Sequence, residues 1–176
     1  MAIAAVVLAL LPAAASATTP GNNGRIAFRR YLDPDQNQAA LFTINPDGTH
    51  ERQITFPDDG VIDAMGNWST DGTQIAFTRS LPFSPPDNNL YVVNADGTNL
   101  HQIPTPTPEV ESPVWSPDGQ RIAFALSTGE EGSIDVSIWE IHADGTGLRQ
   151  VTQTHPIDAE DHAVQYSPDG SRLVIE

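Results

Sequence analysis

The side chains that could do chemistry are unevenly supplied in this chain. Its 176 residues carry 23 aspartates and glutamates, eight arginines, no lysine, five histidines and no cysteine. The missing cysteine removes disulfides, thiolate nucleophiles and Cys-based zinc sites together. The histidines (His50, His101, His142, His155, His162) show neither His-x-x-x-His nor His-Glu-x-x-His spacing, so no zinc helix is written here. His155 and His162 flank Asp158, Glu160 and Asp161, the one cluster of mixed ligand types. Acidic loops often show that mixture, and no metal is assigned to it. The segment Asp33-Pro34-Asp35-Gln36-Asn37 opens like a calcium loop. It then places Gln38 where the turn needs glycine and Ile44 where the bidentate glutamate belongs. No Gly-x-Ser-x-Gly elbow and no glycine-rich phosphate cradle occur. No catalytic residue is expected from these side chains.

What remains is acidity gathered in three connections. They read Pro57-Asp58-Asp59-Gly60-Val61-Ile62-Asp63, Pro108-Glu109-Val110-Glu111 and Asp158-Ala159-Glu160-Asp161, and none contains an arginine. If a fold brought these eight carboxylates to one face, their summed potential would attract a basic protein segment or a divalent cation such as calcium. The plainer alternative is solvated loops on an acidic protein. The net charge of -15 also excludes classes of partner. Nucleic acid requires clustered cations to neutralise phosphates, and an anionic membrane surface requires the same.

The elements that must carry these loops are written as repeats. Trp68-Ser-Thr-Asp-Gly-Thr-Gln-Ile-Ala-Phe77 recurs as Trp115-Ser-Pro-Asp-Gly-Gln-Arg-Ile-Ala-Phe124 and as Tyr166-Ser-Pro-Asp-Gly-Ser-Arg-Leu-Val-Ile175. An eroded copy stands at Asn22 to Phe28. A second signature alternates with the first: Leu41 to Thr49, Leu90 to Thr98 and Ile138 to Thr146, each ending in Asp-Gly-Thr. Runs closing in Gln53-Ile54-Thr55, Gln102-Ile103-Pro104 and Gln150-Val151-Thr152 follow them, and matching aspartates lie 47 to 51 residues apart. Short runs rich in Ile, Val and aromatics between Asp-Gly turns read as strands in hairpins. Positive φ at such turns suits glycine and is tolerated by aspartate. In the clearest unit the strands end at Trp115 and cover Arg121 to Leu126, Ser137 to His142 and Leu148 to Thr152. Trp68, Trp115 and Tyr166 share one repeat position, which points to packing between units; Trp139 is expected to be buried there too.

Four antiparallel strands every 40 to 50 residues describe a propeller blade. The paired Trp-Ser-Pro-Asp-Gly and Asn-Ala-Asp-Gly-Thr signatures resemble those of TolB-like, WD-repeat-like β-propellers over about residues 22 to 176. The expected fold is therefore all-β, with blades of four-stranded antiparallel sheet. The resemblance implies six blades. The pieces here, 22–56, 67–104, 114–153 and 164–176, make about three and the start of another, an incomplete ring within a domain of 18–176. Such a chain is expected to self-associate through its open edges and faces.

Residues 1–17 carry an apolar run and end in Ala-Ser-Ala, the pattern of a cleaved signal peptide, although no positive charge precedes the run. No later segment is apolar for long enough to span a bilayer. The expected location is the periplasm or the cell exterior. The expected function is that of a non-catalytic scaffold binding other proteins, without a cofactor. The alternative is the accessory propeller of a larger exported hydrolase, resembling prolyl oligopeptidases.

Overall fold

The computed structural model describes residues 24–81, 87–107, 109–127, 135–152, 155–156 and 164–175. Every regular element in them is a β-strand. The first unit holds β1 (Ile26–Tyr31), β2 (Ala39–Ile44) and β3 (Arg52–Gln53). The second holds β4 (Ile62–Trp68), β5 (Gln74–Ser80), β6 (Asn88–Asn94) and β7 (His101–Gln102). The third holds β8 (Val110–Trp115), β9 (Arg121–Ser127), β10 (Asp135–His142) and β11 (Arg149–Gln150), with β12 (His155–Pro156) on the start of β10. β13 (Val164–Tyr166) and β14 (Leu173–Ile175) begin a fourth. Within each unit neighbouring strands pair antiparallel. Parallel pairs Ala39–Ile62 and Asn88–Glu109 hook each connection onto the third strand of the unit before it.

The repeated turns explain the repeated polar residues. In the first type the Ser69 amide donates to the Gln74 carbonyl at 2.9 Å, and the Gly72 amide to the Ser69 carbonyl at 2.9 Å. Asp71 Oδ1 accepts from the Ser69 hydroxyl at 2.7 Å and from the Thr73 amide at 3.0 Å. Ser116–Asp118 and Ser167–Asp169 repeat this network. In the second type Asp47, Asp96 and Asp144 each accept the amide and hydroxyl of the threonine two residues on. Within each Asp-Gly pair the positive φ falls on the glycine, from 69° at Gly72 and Gly119 to 84° at Gly97, and just past two of the second-type turns His50 and Asn99 take it as well, at 54° and 53°. Aspartate serves as acceptor and does not adopt positive φ in these turns, a division of labour the sequence reading had merged.

The Gln-Ile-Thr runs have a similar local cause. Thr55 Oγ1 accepts the Leu41 amide at 2.9 Å, and Ile54 donates to the Leu41 carbonyl at 2.8 Å. Thr152 does the same for Ile138 at 2.9 Å. A hydroxyl thus replaces a ladder partner. The outer strand of the third unit therefore stops after Arg149–Gln150, shorter than the Leu148 to Thr152 span expected.

The core lies between the units. Leu41 and Ile54 of the first pack against Ile75, Phe77 and Val93 of the second, with Trp68 beside them. Leu90, Val92 and Ile103 of the second pack against Val110, Trp115, Ile122 and Phe124 of the third, with Trp139 alongside. Ala123, Ala125 and Ile138 of the third meet Val164, Tyr166 and Leu173 of the fourth.

Two outcomes follow from the turns. Gly119→Ala meets open space and strains only the backbone, at about 1 kcal/mol. Gly97→Ala adds a Cβ only 2.8 Å from the Ile54 carbonyl oxygen, so its melting temperature should fall clearly further. Equal losses, measured by circular dichroism, would refute that packing. The turn aspartates titrate below their ordinary value of 3.8, chiefly through serine or threonine hydroxyls, Asp169 at about 2. A lowered folded pKa stabilises above the unfolded value and loses that stabilisation as pH falls through the folded one. Melting temperature should therefore drop between about pH 4 and pH 2. Replacing all six by asparagine, which keeps the acceptor without titrating, should flatten the drop.

Candidate functional site

The strand registers sort the loops to two ends. Ala39 pairs with both Tyr31 and Ile62, Ile62 with Ser80, and Ser80 with Asn88. The connections between units therefore share one end with the loops from second to third strands. The Asp-Gly turns occupy the opposite end, with His50, His101 and His142 in or beside them. His101 Nδ1 lies 2.8 Å from the Asn99 carbonyl and its Nε2 3.4 Å from that of Ala143 in the next unit, and His142 Nδ1 lies 3.0 Å from the Gln120 carbonyl.

At the connection end the structure separates the five described acidic residues of the eight. Asp58 and Asp59 are exposed on a turn in which the Val61 amide donates to the Asp58 carbonyl at 3.1 Å. Gln38 reaches across from the neighbouring loop to donate to the Pro57 carbonyl at 2.9 Å. Glu109 lies where the next connection meets Asn88, and its carbonyl accepts the Ser127 amide at 3.1 Å. Glu111 is half-buried on β8 opposite Ala125, beside a β-bulge that ends at Val114. Asp158, Glu160 and Asp161 lie outside the described residues.

Asp63 differs in kind. It is fully buried, and Arg79 holds it through two bonds, Nε to Oδ1 at 2.6 Å and an Nη2 to Oδ2 at 2.9 Å. The Arg79 guanidinium also lies over the Tyr91 ring, 5.0 Å from its centroid. This carboxylate is spent on a bidentate pair inside the sheet and adds no open charge to the loops. Sequence reading counted it with the loop because its partner stands on the next strand. Register could have found it, since Asp63 and Arg79 are cross-strand neighbours.

Three further acids stand at this end: Asp33 and Asp35, in the loop after β1 that fails as a calcium loop, and Asp87 before β6. Asp33 accepts the amides of Gln38 at 2.9 Å and Asn37 at 3.1 Å, which hold its carboxyl below the ordinary range. No arginine lies in the described loops at this end. Arg79 and Arg30, one residue inside it, already face Asp63 and Glu51. Among the described residues no three histidine, aspartate or glutamate side chains come together as a metal site. Nor is any helix there long and apolar enough to cross a membrane.

Stacked antiparallel units, packed face to face through an aromatic at one repeat position, define a β-propeller scaffold. Residues 20–176 match the model of the TolB beta propeller domain, and the chain belongs to that family. It is similar in fold to TolB from Acinetobacter baumannii, at 19% identity over 88% of this chain and 36% of that one, with a TM-score of 0.63. The putative TolB from Agrobacterium tumefaciens gives 17% identity, 85% and 59% coverage, and a TM-score of 0.56. An acylaminoacyl peptidase from Pyrococcus horikoshii gives 16% identity, 73% and 23% coverage, and 0.52. The chain thus spans 59% and 36% of the two TolB chains.

The buried pair generates a prediction. The next unit places Val110 opposite Leu126 where the second places Asp63 opposite Arg79. Asp63→Ala strands a largely buried guanidinium and should cost about 3–5 kcal/mol. The double change Asp63→Val with Arg79→Leu copies the next unit and should recover most of the loss. Thermal denaturation of the three proteins decides it. A double variant no better than the single one would show that the pair is required in its own right.

Proposed function

We propose that the protein is an exported, non-catalytic β-propeller that docks a basic segment of another protein on its connection end. The observation that carries this reading is the unequal use of carboxylates at the two ends. At the turn end each aspartate is engaged by hydroxyl and amide donors of its own turn. At the connection end Asp58 and Asp59 stand exposed on a loop free of arginine, with Glu109 in the corresponding stretch of the next unit. Asp158, Glu160 and Asp161 follow in the third connection by sequence. A surface of one sign raises the encounter rate of an oppositely charged partner and selects against like-charged ones. Protein is favoured over a divalent cation, because a cation needs several oxygens converging at about 2.3–2.6 Å, which successive loops do not guarantee. Export rests on the signal-peptide pattern of residues 1–17 and on membership of the TolB propeller family.

An accessory role beside a hydrolase is the second reading. The fold likeness to the acylaminoacyl peptidase favours it, because that chain is much longer than this one.

The test neutralises the loops in turn, as Asp58→Asn with Asp59→Asn, Glu109→Gln with Glu111→Gln, and Asp158→Asn with Glu160→Gln and Asp161→Asn. Binding of an arginine-rich peptide, followed by fluorescence anisotropy, should weaken with each loop and weaken further as salt rises above about 0.15 M. Unchanged binding after all three sets would make the acidity a solubility feature. Asp63→Asn, buried away from the surface, serves as a contrast and should leave peptide affinity unaltered.

A further inference from the structure

Seven Asp-Gly pairs stand in the sequence, and the structure treats one of them differently. Six are the repeated turns, at Asp47, Asp71, Asp96, Asp118, Asp144 and Asp169. In each of these the glycine is the last residue of a four-residue turn, and its amide donates to the carbonyl three residues back at 2.8–2.9 Å. The carboxylate is fixed as well. Its Oδ1 accepts the amide two residues on at 2.9–3.1 Å. A serine or threonine hydroxyl donates to the same oxygen in every copy.

The seventh pair, Asp59–Gly60, sits one place earlier in its turn. There the Val61 amide closes onto the Asp58 carbonyl at 3.1 Å, so Asp59 and Gly60 are the two central residues. Gly60 takes the positive φ, 81°, that such a turn asks of its third residue. A central amide takes no part in closing the turn. Among the described residues the Gly60 amide has no hydrogen-bond acceptor, and the exposed Asp59 carboxylate has no donor or cation.

We infer that Asp59–Gly60 is a modification site, where the chain converts of itself to a β-linked isoaspartate while the six repeated turns are spared. The Gly60 backbone nitrogen attacks the Asp59 carboxyl carbon. The proton of that nitrogen and the carboxyl hydroxyl leave together as water, and a succinimide ring closes. Water then adds to one of the two ring carbonyls. Opening at the side-chain carbonyl restores aspartate. Opening at the main-chain carbonyl leaves the chain running through the side chain, with one more backbone carbon and the same mass. Water is released once and taken up once, and nothing else is consumed. Glycine on the far side of the bond has no Cβ to obstruct the approach. At the repeated turns both reacting groups are already committed to hydrogen bonds, so the ring can close only after the turn opens locally. The added carbon falls inside the Asp58–Val61 turn. The Val61 carbonyl there accepts the Ala39 amide at 3.1 Å and hooks the connection onto β2. This chemistry does not depend on the docking role proposed for the loop.

The experiment ages the folded 176-residue chain at neutral pH in heavy-oxygen water and then digests it in ordinary water. Trypsin cuts after Arg52 and Arg79, so a single peptide, residues 53–79, carries both Asp59–Gly60 and Asp71–Gly72. Electron-transfer fragmentation distinguishes isoaspartate from aspartate at each position. Isoaspartate at 59 should exceed that at 71 by about tenfold or more, with one heavy oxygen in each converted residue. In the chain unfolded by urea the two positions should convert at similar rates, because the turns no longer tell them apart. The inference is overturned if both convert equally in the folded chain or if Asp71 leads. It is overturned equally if the excess at 59 survives unfolding, or if Asp59 converts only once the chain is unfolded.

Discussion

A unit one sheet thick cannot bury its own apolar side chains, and everything else in this molecule depends on how neighbouring units solve that for one another. The three clusters of buried residues all straddle a junction between successive units. Ala76 shows the consequence on a single strand: it faces the third unit, while Ile75 and Phe77 beside it face the first. Strand alternation therefore assigns successive residues of one β-strand to two different cores. Stability in such an array is a property of junctions, and a unit with an uncovered face carries its cost in exposed surface, as Ile26 does.

The junctions differ where a polar group enters. Trp68 and Trp115 are followed at the same repeat position by Tyr166, and the third-strand residues Thr43 and Val92 by Glu140. The indole N–H groups of both tryptophans are buried without a hydrogen-bond partner. The Tyr166 hydroxyl donates to Glu140 at 2.5 Å, and Arg149 donates to the other carboxylate oxygen at 2.9 Å. Burial alone would raise the Glu140 carboxyl, but Tyr166 and Arg149 outweigh it and hold it below the ordinary range. Burial first, and then that carboxylate, push the Tyr166 hydroxyl far up. At this repeat position the third junction is thus partly ionic, where the earlier two carry Thr43 and Val92. The tyrosine and the glutamate each require the other to be buried without penalty.

Charge is divided by the same geometry. Turn aspartates are bound into their loops at one end, and the first connection leaves Asp58 and Asp59 exposed at the other. Arginine follows the opposite rule. Arg25, Arg52, Arg121, Arg149 and Arg172 all stand at or next to the turn end, where Arg52 donates to the Asp96 carbonyl at 2.6 Å. An acidic protein with 23 carboxylates and eight cations has thereby segregated most of its few positive charges away from one end of its sheets.

Strand positions, turn chemistry and the inter-unit role of the repeated aromatics were legible in the residues alone. Each is a local rule: alternation over six or seven residues, glycine where φ must be positive, an aromatic at a fixed repeat offset. The acidic connections were equally legible as segments. Their division was not. Asp63 looked like one more loop carboxylate, because its partner Arg79 is 16 residues away and reaches it only through cross-strand register past a bulge. Likewise Asp33, Asp35 and Asp87 join the connection end only because second strands finish where first strands begin. Glu140 and Tyr166, 26 residues apart, meet only across a junction between units. Patterns of period two and turn composition act within a few residues, so sequence determines them. Which charge is open, paired or buried depends on what another strand places opposite it, and only the packed sheets decide that.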